Sequence, residues 1–325
     1  MLFALIKLYA RFAIQIYCRK IVINKPDYLY HKGPLLFAAN HPNSFLDGII
    51  LTTLFKEPVY SLARGDAFKN KYFNNLLRWL RLLPVYRTSE GVENLGHNYT
   101  TFAACQQVFE KKGVVLIFSE GRCINEWHLR PLKKGTARLA ISTWGKGIPL
   151  KVIPLGFNYS SFRTFGNAVH LNFGEVLDEE KIREQDSEGK QLLRFNSLTQ
   201  QQLTHLVYEI NKGDKKALKK TFTVTTNFLK VVVLALPALV GFVSHFPLYL
   251  LVKKITNVYF DNDHYDSVVQ SLLMLLYPLY SVLWALIIGF NFGIYWAITS
   301  LVLLPFCAWA LVQVKYDFKY LFERG

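Results

Sequence analysis

Cysteine is scarce in this chain. Four residues, Cys18, Cys105, Cys123 and Cys307, are scattered over 325 positions with no C-x-x-C pair and no matching histidine spacing. That excludes a disulfide scaffold and a zinc module and fits a reducing compartment. Charged residues make up only 19%, against 51% apolar and 15% aromatic, which excludes a disordered chain. Nineteen glycines with no period exclude a collagen-like fibre, and no internal repeat is present. Acidic residues are also short, at 23 against 38 lysines and arginines, for a formal charge of +15.

That imbalance is local. Residues 1–228 hold 32 basic and 18 acidic side chains, whereas residues 229–325 hold 6 and 5. A basic first part joined to a neutral apolar tail points to an anionic membrane surface and anionic substrates. A nucleic-acid binder has only the net charge in its favour, since no aromatic–basic binding motif accompanies it.

The tail supplies long apolar runs. Val268–Phe290 (VVQSLLMLLYPLYSVLWALIIGF) and Ile294–Val314 (IYWAITSLVLLPFCAWALVQV) carry no charge. Each has about the 20 residues that cross a bilayer core. Trp284, Tyr295, Trp296 and Trp309 suit the interface. With only Asn291-Phe292-Gly293 between them, the pair reads as a transmembrane hairpin spanning 268–314; two buried core helices would show a polar stripe. An earlier run, 228–252, is interrupted by Pro237, Gly241, His245 and Pro247. A full crossing would set Lys253 and Lys254 opposite Lys212–Lys220, against the positive-inside rule, so a broken or re-entrant hairpin is expected there. With almost no ionisable groups in these segments, a transporter is disfavoured.

At the other end, residues 1–29 read as an amphipathic helix in the membrane interface. Lys7, Arg11, Gln15 and Arg19 recur every fourth residue among Leu, Phe, Ile and Tyr. A signal peptide fits poorly, because basic residues interrupt the apolar run and no small-residue cleavage site follows.

Between these membrane parts, residues 30–227 alternate strand and helix signals. Leu35–Asn40, Val59–Arg64, Val114–Glu120, Val152–Tyr159 and Val169–Val176 read as strands, and 92–112 and 133–145 as helices, with Gly113 as a stop. The pattern predicts an α/β fold, a mostly parallel sheet flanked by helices. Asp178–Glu188, with six acids in eleven residues, reads as a solvated segment.

Two strand ends carry chemistry. Asn40-His41-Pro42-Asn43-Ser44-Phe45-Leu46-Asp47 follows the first strand and opens a helix. On one helix His41 and Asp47 would face about 240° apart. They meet only if His41 lies in the loop and Asp47 in the first turn. A carboxylate on one imidazole nitrogen fixes the tautomer, so that the other nitrogen can take a proton from a hydroxyl. Ser44-x-x-Asp47 also reads as a capping box, which needs no chemistry. The second end is Phe118-Ser119-Glu120-Gly121-Arg122-Cys123. Ligands bind beyond the carboxyl ends of such strands. Gly121 permits close backbone approach, and Arg122 offers a fork for phosphate. Arg130, Lys133 and Lys134 precede a helix that starts near Gly135-Thr136, a basic helix N-terminus suited to an anion. The bland alternative is a strand-ending turn with surface charges. Cys123 has no clear activating neighbour for a nucleophile.

Together these pieces resemble the glycerol-3-phosphate and 1-acylglycerol-3-phosphate (lysophosphatidate) acyltransferase superfamily (PlsC-like). Four blocks stand in that family's order over roughly residues 30–180. Asn40-His41 with Asp47 resembles its His/Asp block. Arg64-Gly65-Asp66-Ala67-Phe68 through Leu83-Pro84-Val85-Tyr86-Arg87 resembles the acceptor-binding block. Phe118-Ser119-Glu120-Gly121 resembles the third, and Val152-Ile153-Pro154 the fourth. Two features depart from the pattern. Five residues rather than four separate His41 from Asp47, a spacing associated with a subgroup that includes fungal-type glycerol-phosphate acyltransferases. Arg122 stands where the family commonly has threonine.

The resemblance implies a membrane-bound acyltransferase of phospholipid biosynthesis on the cytoplasmic face of its membrane. His41 would act as base on an acceptor hydroxyl and Asp47 would orient it. Glu120, Gly121, Arg122 and Arg64, with Lys133 and Arg87, would hold a phosphorylated head group. It implies no cofactor and no metal; acyl-CoA, acyl-carrier protein or acyl-phosphate would be the co-substrate. Lysophosphatidate is the first-choice acceptor, with glycerol-3-phosphate, another lysophospholipid or a lyso-amino-acid lipid as alternatives. A non-catalytic lipid-binding scaffold that keeps the fold is the reading from another class.

Overall fold

The computed structural model describes residues 2–86, 97–183, 187–224, 227–260 and 262–322. Its strands are β1 (Cys18–Ile23), β2 (Leu35–Ala39), β3 (Val59–Arg64), β4 (Leu82–Val85), β5 (Val114–Phe118), β6 (Lys151–Tyr159) and β7 (Asn167–Phe173). They form one sheet in the order β1-β7-β6-β2-β5-β3-β4. The run β6-β2-β5-β3-β4 is parallel throughout. Every residue of β2 is buried, as in a sheet covered by helices on both faces. The α/β expectation holds. The strand expected at Val169–Val176 is seen at Asn167–Phe173, and the helix expected at 133–145 spans Gly135–Trp144. The helix expected at 92–112 is described as His97–Glu110, its first residues lying outside the described ones.

The chain divides into two compact units. The first comprises Met1–Ala4, Ile23–Asn158 and His170–Gly213; the second comprises Leu5–Val22, Tyr159–Val169 and Asp214–Gly325. The first unit has its core around Leu36, Ala38, Val115, Leu139, Trp144, Val152 and Phe195, with aromatic packing of Phe37 on Phe55 and Phe173.

In the second unit three helices, Phe228–Tyr259, Tyr265–Phe292 and Ile294–Lys315, are long and apolar enough to cross a membrane. Large apolar side chains such as Leu236, Val243, Leu279, Leu286 and Val302 stay exposed on them. The expected hairpin of two apolar helices is present, turning at Gly293, whose φ is 92°. The expected break within 228–252 is corrected: one uninterrupted helix of 32 residues runs from Phe228 to Tyr259, with Pro237 and Pro247 inside it. A proline removes one intrahelical hydrogen bond, and apolar packing and internal polar contacts offset that within a bundle. Ser244 Oγ donates to Val240 O at 2.7 Å, and His245 Nε2 lies 3.1 Å from Tyr277 Oη. Gly241 marks a close approach, since a Cβ there would lie 2.2 Å from Cys307 O.

The N-terminal expectation is also corrected. The helix covers Leu2–Tyr17 only, and Cys18-Arg19-Lys20-Ile21-Val22-Ile23 is strand β1. Ile21, Val22 and Ile23 are β-branched and favour a strand. Arg19 therefore leaves the helical face of Lys7, Arg11 and Gln15. Arg11 and Gln15 stay exposed on the helix, beside the exposed apolar side chains of Leu2, Leu5, Leu8 and Phe12.

Candidate functional site

Parallel pairing sets the site. β2 and β5 are in register, with Ala39 opposite Phe118, so the loops after them leave the same edge of the sheet side by side. Asn40 fixes the end of β2 to β6: its Nδ2 donates to Phe157 O at 3.0 Å, and Phe157 N donates to its Oδ1 at 2.7 Å. His41 then sits in the loop and Asp47 in the first turn of the helix Phe45–Leu54, the arrangement their spacing requires.

The two side chains meet. His41 Nδ1 lies 2.9 Å from Asp47 Oδ2, and Asp47 is fully buried. The same oxygen accepts Asn43 N–H at 3.0 Å, so the carboxylate holds both the imidazole and the loop that carries it. Ser44 makes no side-chain cap, and its φ is 51°, a left-handed value uncommon outside glycine. The Ser44–Asp47 spacing is thus used for a carboxylate–histidine contact rather than a capping box. His41 stacks on Phe118 with ring centroids 3.6 Å apart and planes 14° apart. With Nδ1 facing a carboxylate, the imidazole proton belongs on Nδ1 and Nε2 is the basic nitrogen. No hydrogen bond from the protein reaches Nε2 among the described residues.

The loop after β5 grips the His41 loop through backbone groups. Glu120 Oε2 accepts His41 N–H at 2.7 Å, and its Oε1 accepts Arg130 N–H at 2.9 Å. Ile124 N donates to His41 O at 3.3 Å, Asn125 Nδ2 to Pro42 O at 2.7 Å, and Ser44 N to Cys123 Sγ at 3.0 Å. Burial pushes the Glu120 carboxyl up to about 7, with Asp47 adding to the rise, while the N–H groups of Arg130 and His41 and the Arg130 charge pull it down. Gly121 turns the loop at φ 74°, and a Cβ there would sit 3.0 Å from Lys133 Cγ.

The remaining sequence candidates occupy different settings. Arg122 and Lys133 are exposed, with Lys133 N donating to Ser119 O at 2.7 Å. Arg64, at the carboxyl end of β3, pairs with Asp66, its Nε 3.1 Å from Oδ1. Arg87 lies outside the described residues. Sequence reasoning missed Phe118 as the platform beneath His41; an aromatic next to the strand-end Ser119-Glu120 was its only signal. It also missed the backbone role of Glu120, which no spacing reveals. Among the described residues no group of three or more His, Cys, Asp or Glu is placed to hold a metal.

The arrangement can take a proton from a hydroxyl at Nε2 while a buried carboxylate balances the imidazolium that forms. Residues 20–158 match the family model described as Acyltransferase. No curated protein matches the chain. Among solved structures, it is similar to a 1-acyl-sn-glycerophosphate (LPA) acyltransferase, PlsC, from Thermotoga maritima. The two are 14% identical, with 68% of this chain and 81% of that chain covered and a TM-score of 0.44.

Proposed function

We propose that this protein, whose residues 20–158 match the acyltransferase family model, is a membrane-bound acyltransferase that moves a fatty acyl chain from a thioester to a glycerolipid hydroxyl, with lysophosphatidate as acceptor and phosphatidate as product. The observation that carries the reading is the contact between His41 Nδ1 and the buried Asp47, which leaves Nε2 as the base. The acceptor hydroxyl gives its proton to Nε2 as its oxygen attacks the thioester carbonyl. The carbon–sulfur bond then breaks, and the thiolate leaves and recovers a proton from the imidazolium. No covalent acyl-enzyme is required.

A phosphorylated acceptor suits the excess of basic side chains in residues 1–228. Arg122, Lys133 and Arg64 are the exposed cations assigned to its phosphate, with Arg87 and the Gly121 backbone. Glu120 serves from behind, holding the backbone N–H of His41. Three apolar helices supply the anchor. The test is a comparison of acceptors in membranes containing the protein. Acylated product is expected with lysophosphatidate in excess over glycerol-3-phosphate and a phosphate-free lyso-lipid. Preference for the phosphate-free lipid would reject the acceptor.

The raised Glu120 carboxyl gives two opposed pH trends. Below about pH 7 Glu120 carries a proton, one oxygen becomes a donor, and one of its two N–H contacts is lost. The value of kcat/KM is therefore expected to fall on the acid side of about 7. Stability runs the other way. The folded pKa lies above the ordinary carboxyl value of 4.5, so the group's contribution is full below that value and is lost as pH rises through about 7. The loss is on the order of 3 kcal/mol. Thermal unfolding at pH 5 and pH 7.5 checks it, and the difference should shrink in Glu120→Gln.

A further inference from the structure

The helix Lys71–Trp79 has no part in the chemistry above, yet it leaves three large side chains with apolar bodies in the open. Tyr72, Leu76 and Trp79 are 86%, 48% and 39% exposed. Their spacing of four and three residues places them on one face, within about 60° of each other around the axis. Lys71 flanks that face and Lys69 is exposed just before it, while Arg78 turns away, its Nε donating to Asn74 Oδ1 at 2.7 Å. From Lys69 to Arg81 there are four basic residues and no acidic one. The stripe is built into the first unit. Trp79 packs edge-on against Phe3 at 6.2 Å, and the Arg81 guanidinium lies over both Phe3 and Tyr60.

We propose that this helix is an interfacial docking surface by which the catalytic unit itself lies on an anionic bilayer, with Tyr72, Leu76 and Trp79 at the head-group boundary and Lys69 and Lys71 against lipid phosphates. An exposed apolar stripe flanked by basic groups is the pattern of a helix lying in a membrane surface, and Trp and Tyr concentrate at that depth. An acidic protein surface would match the charge but would leave the aromatic stripe without its apolar half-space. Topology gives the docking a use. The strands β2, β5 and β3 are parallel, so the chain leaves β3 at Arg64 on the same sheet edge at which His41 sits. Seven residues later the helix begins, and its first turn carries Tyr72. A bilayer touching that turn meets the catalytic unit at its site edge, where a lipid acceptor presents its hydroxyl. The membrane-crossing helices keep the protein on the bilayer; this surface sets how the catalytic unit faces it.

Depth is measured in the full-length protein reconstituted into vesicles of phosphatidylcholine and phosphatidylglycerol, with bromine at defined acyl positions. Trp79→Phe keeps an aromatic ring against Phe3 and gives the contribution of Trp79 by difference. That contribution should be quenched most by shallow bromines, and less when phosphatidylglycerol is omitted. In Tyr72→Ser/Leu76→Ser, both substitutions at exposed positions, kcat/KM for bilayer-borne lysophosphatidate should fall about ten-fold. The value for a short-chain, water-soluble lyso-acceptor should stay within two-fold of wild type. Absence of any Trp79-specific quenching overturns the proposal, whatever acceptor the enzyme prefers. Equal loss on both acceptors overturns it too, since it places the helix in the site rather than on the membrane. Quenching in a protein inactive on every acceptor would reject the proposed reaction and keep the docking surface.

Discussion

His41→Ala is expected to lower the kcat of acyl transfer by about 10³-fold, near the middle of the range for losing a positioned general base. The protein should remain in the membrane, since the helices long enough to span it are Phe228–Tyr259, Tyr265–Phe292 and Ile294–Lys315. The variant is also expected to lose about 1–3 kcal/mol of stability, because the buried Asp47 carboxylate keeps only the Asn43 N–H of its two named partners. Assaying the variant in the same membranes as wild type, with its melting temperature measured alongside, separates the two effects. A variant that folds, resides in the membrane and retains wild-type turnover would remove His41 from the chemistry.

The second large effect is expected from Asp47→Asn, which keeps the shape and changes the hydrogen-bonding character. Asp47 Oδ2 accepts from Asn43 N and faces His41 Nδ1. An amide that keeps its oxygen on Asn43 N loses the charge that stabilises the imidazolium. One that turns its NH₂ toward Nδ1 places the imidazole proton on Nε2, where it cannot act as base. Either way kcat should fall by about 10²–10⁴-fold with little change in KM, while the near-isosteric side chain preserves the fold. A drop in affinity for the acceptor without loss of kcat would instead make Asp47 a binding residue.

How far the sequence reached differs from element to element. The strands around the site were legible because β2 and β5 are short, wholly apolar and bounded by turn residues, which is how a strand buried on both faces reads. The meeting of His41 with Asp47 was legible because a spacing of six is compatible with contact only across a loop-to-helix junction. Glu120 was visible as a residue but not in its role, since its partners are backbone N–H groups of His41 and Arg130. The helix Lys71–Trp79 escaped because Tyr72, Leu76 and Trp79 are exposed, so their spacing carries no core signal. β1 was hidden by the basic–apolar pattern that continues from the helix before it. The helix Phe228–Tyr259 was misread because Pro237, Gly241 and Pro247 terminate helices in water; here Gly241 admits a neighbouring backbone instead.

The most direct test of the central claim is thiol release from a long-chain acyl thioester by the wild-type protein in membranes, followed with and without lysophosphatidate. Direct transfer with His41 as base predicts release only when the acceptor is present, in one-to-one proportion with phosphatidate formed. A stoichiometric burst of thiol without acceptor, with the acyl label left on the protein, would contradict it.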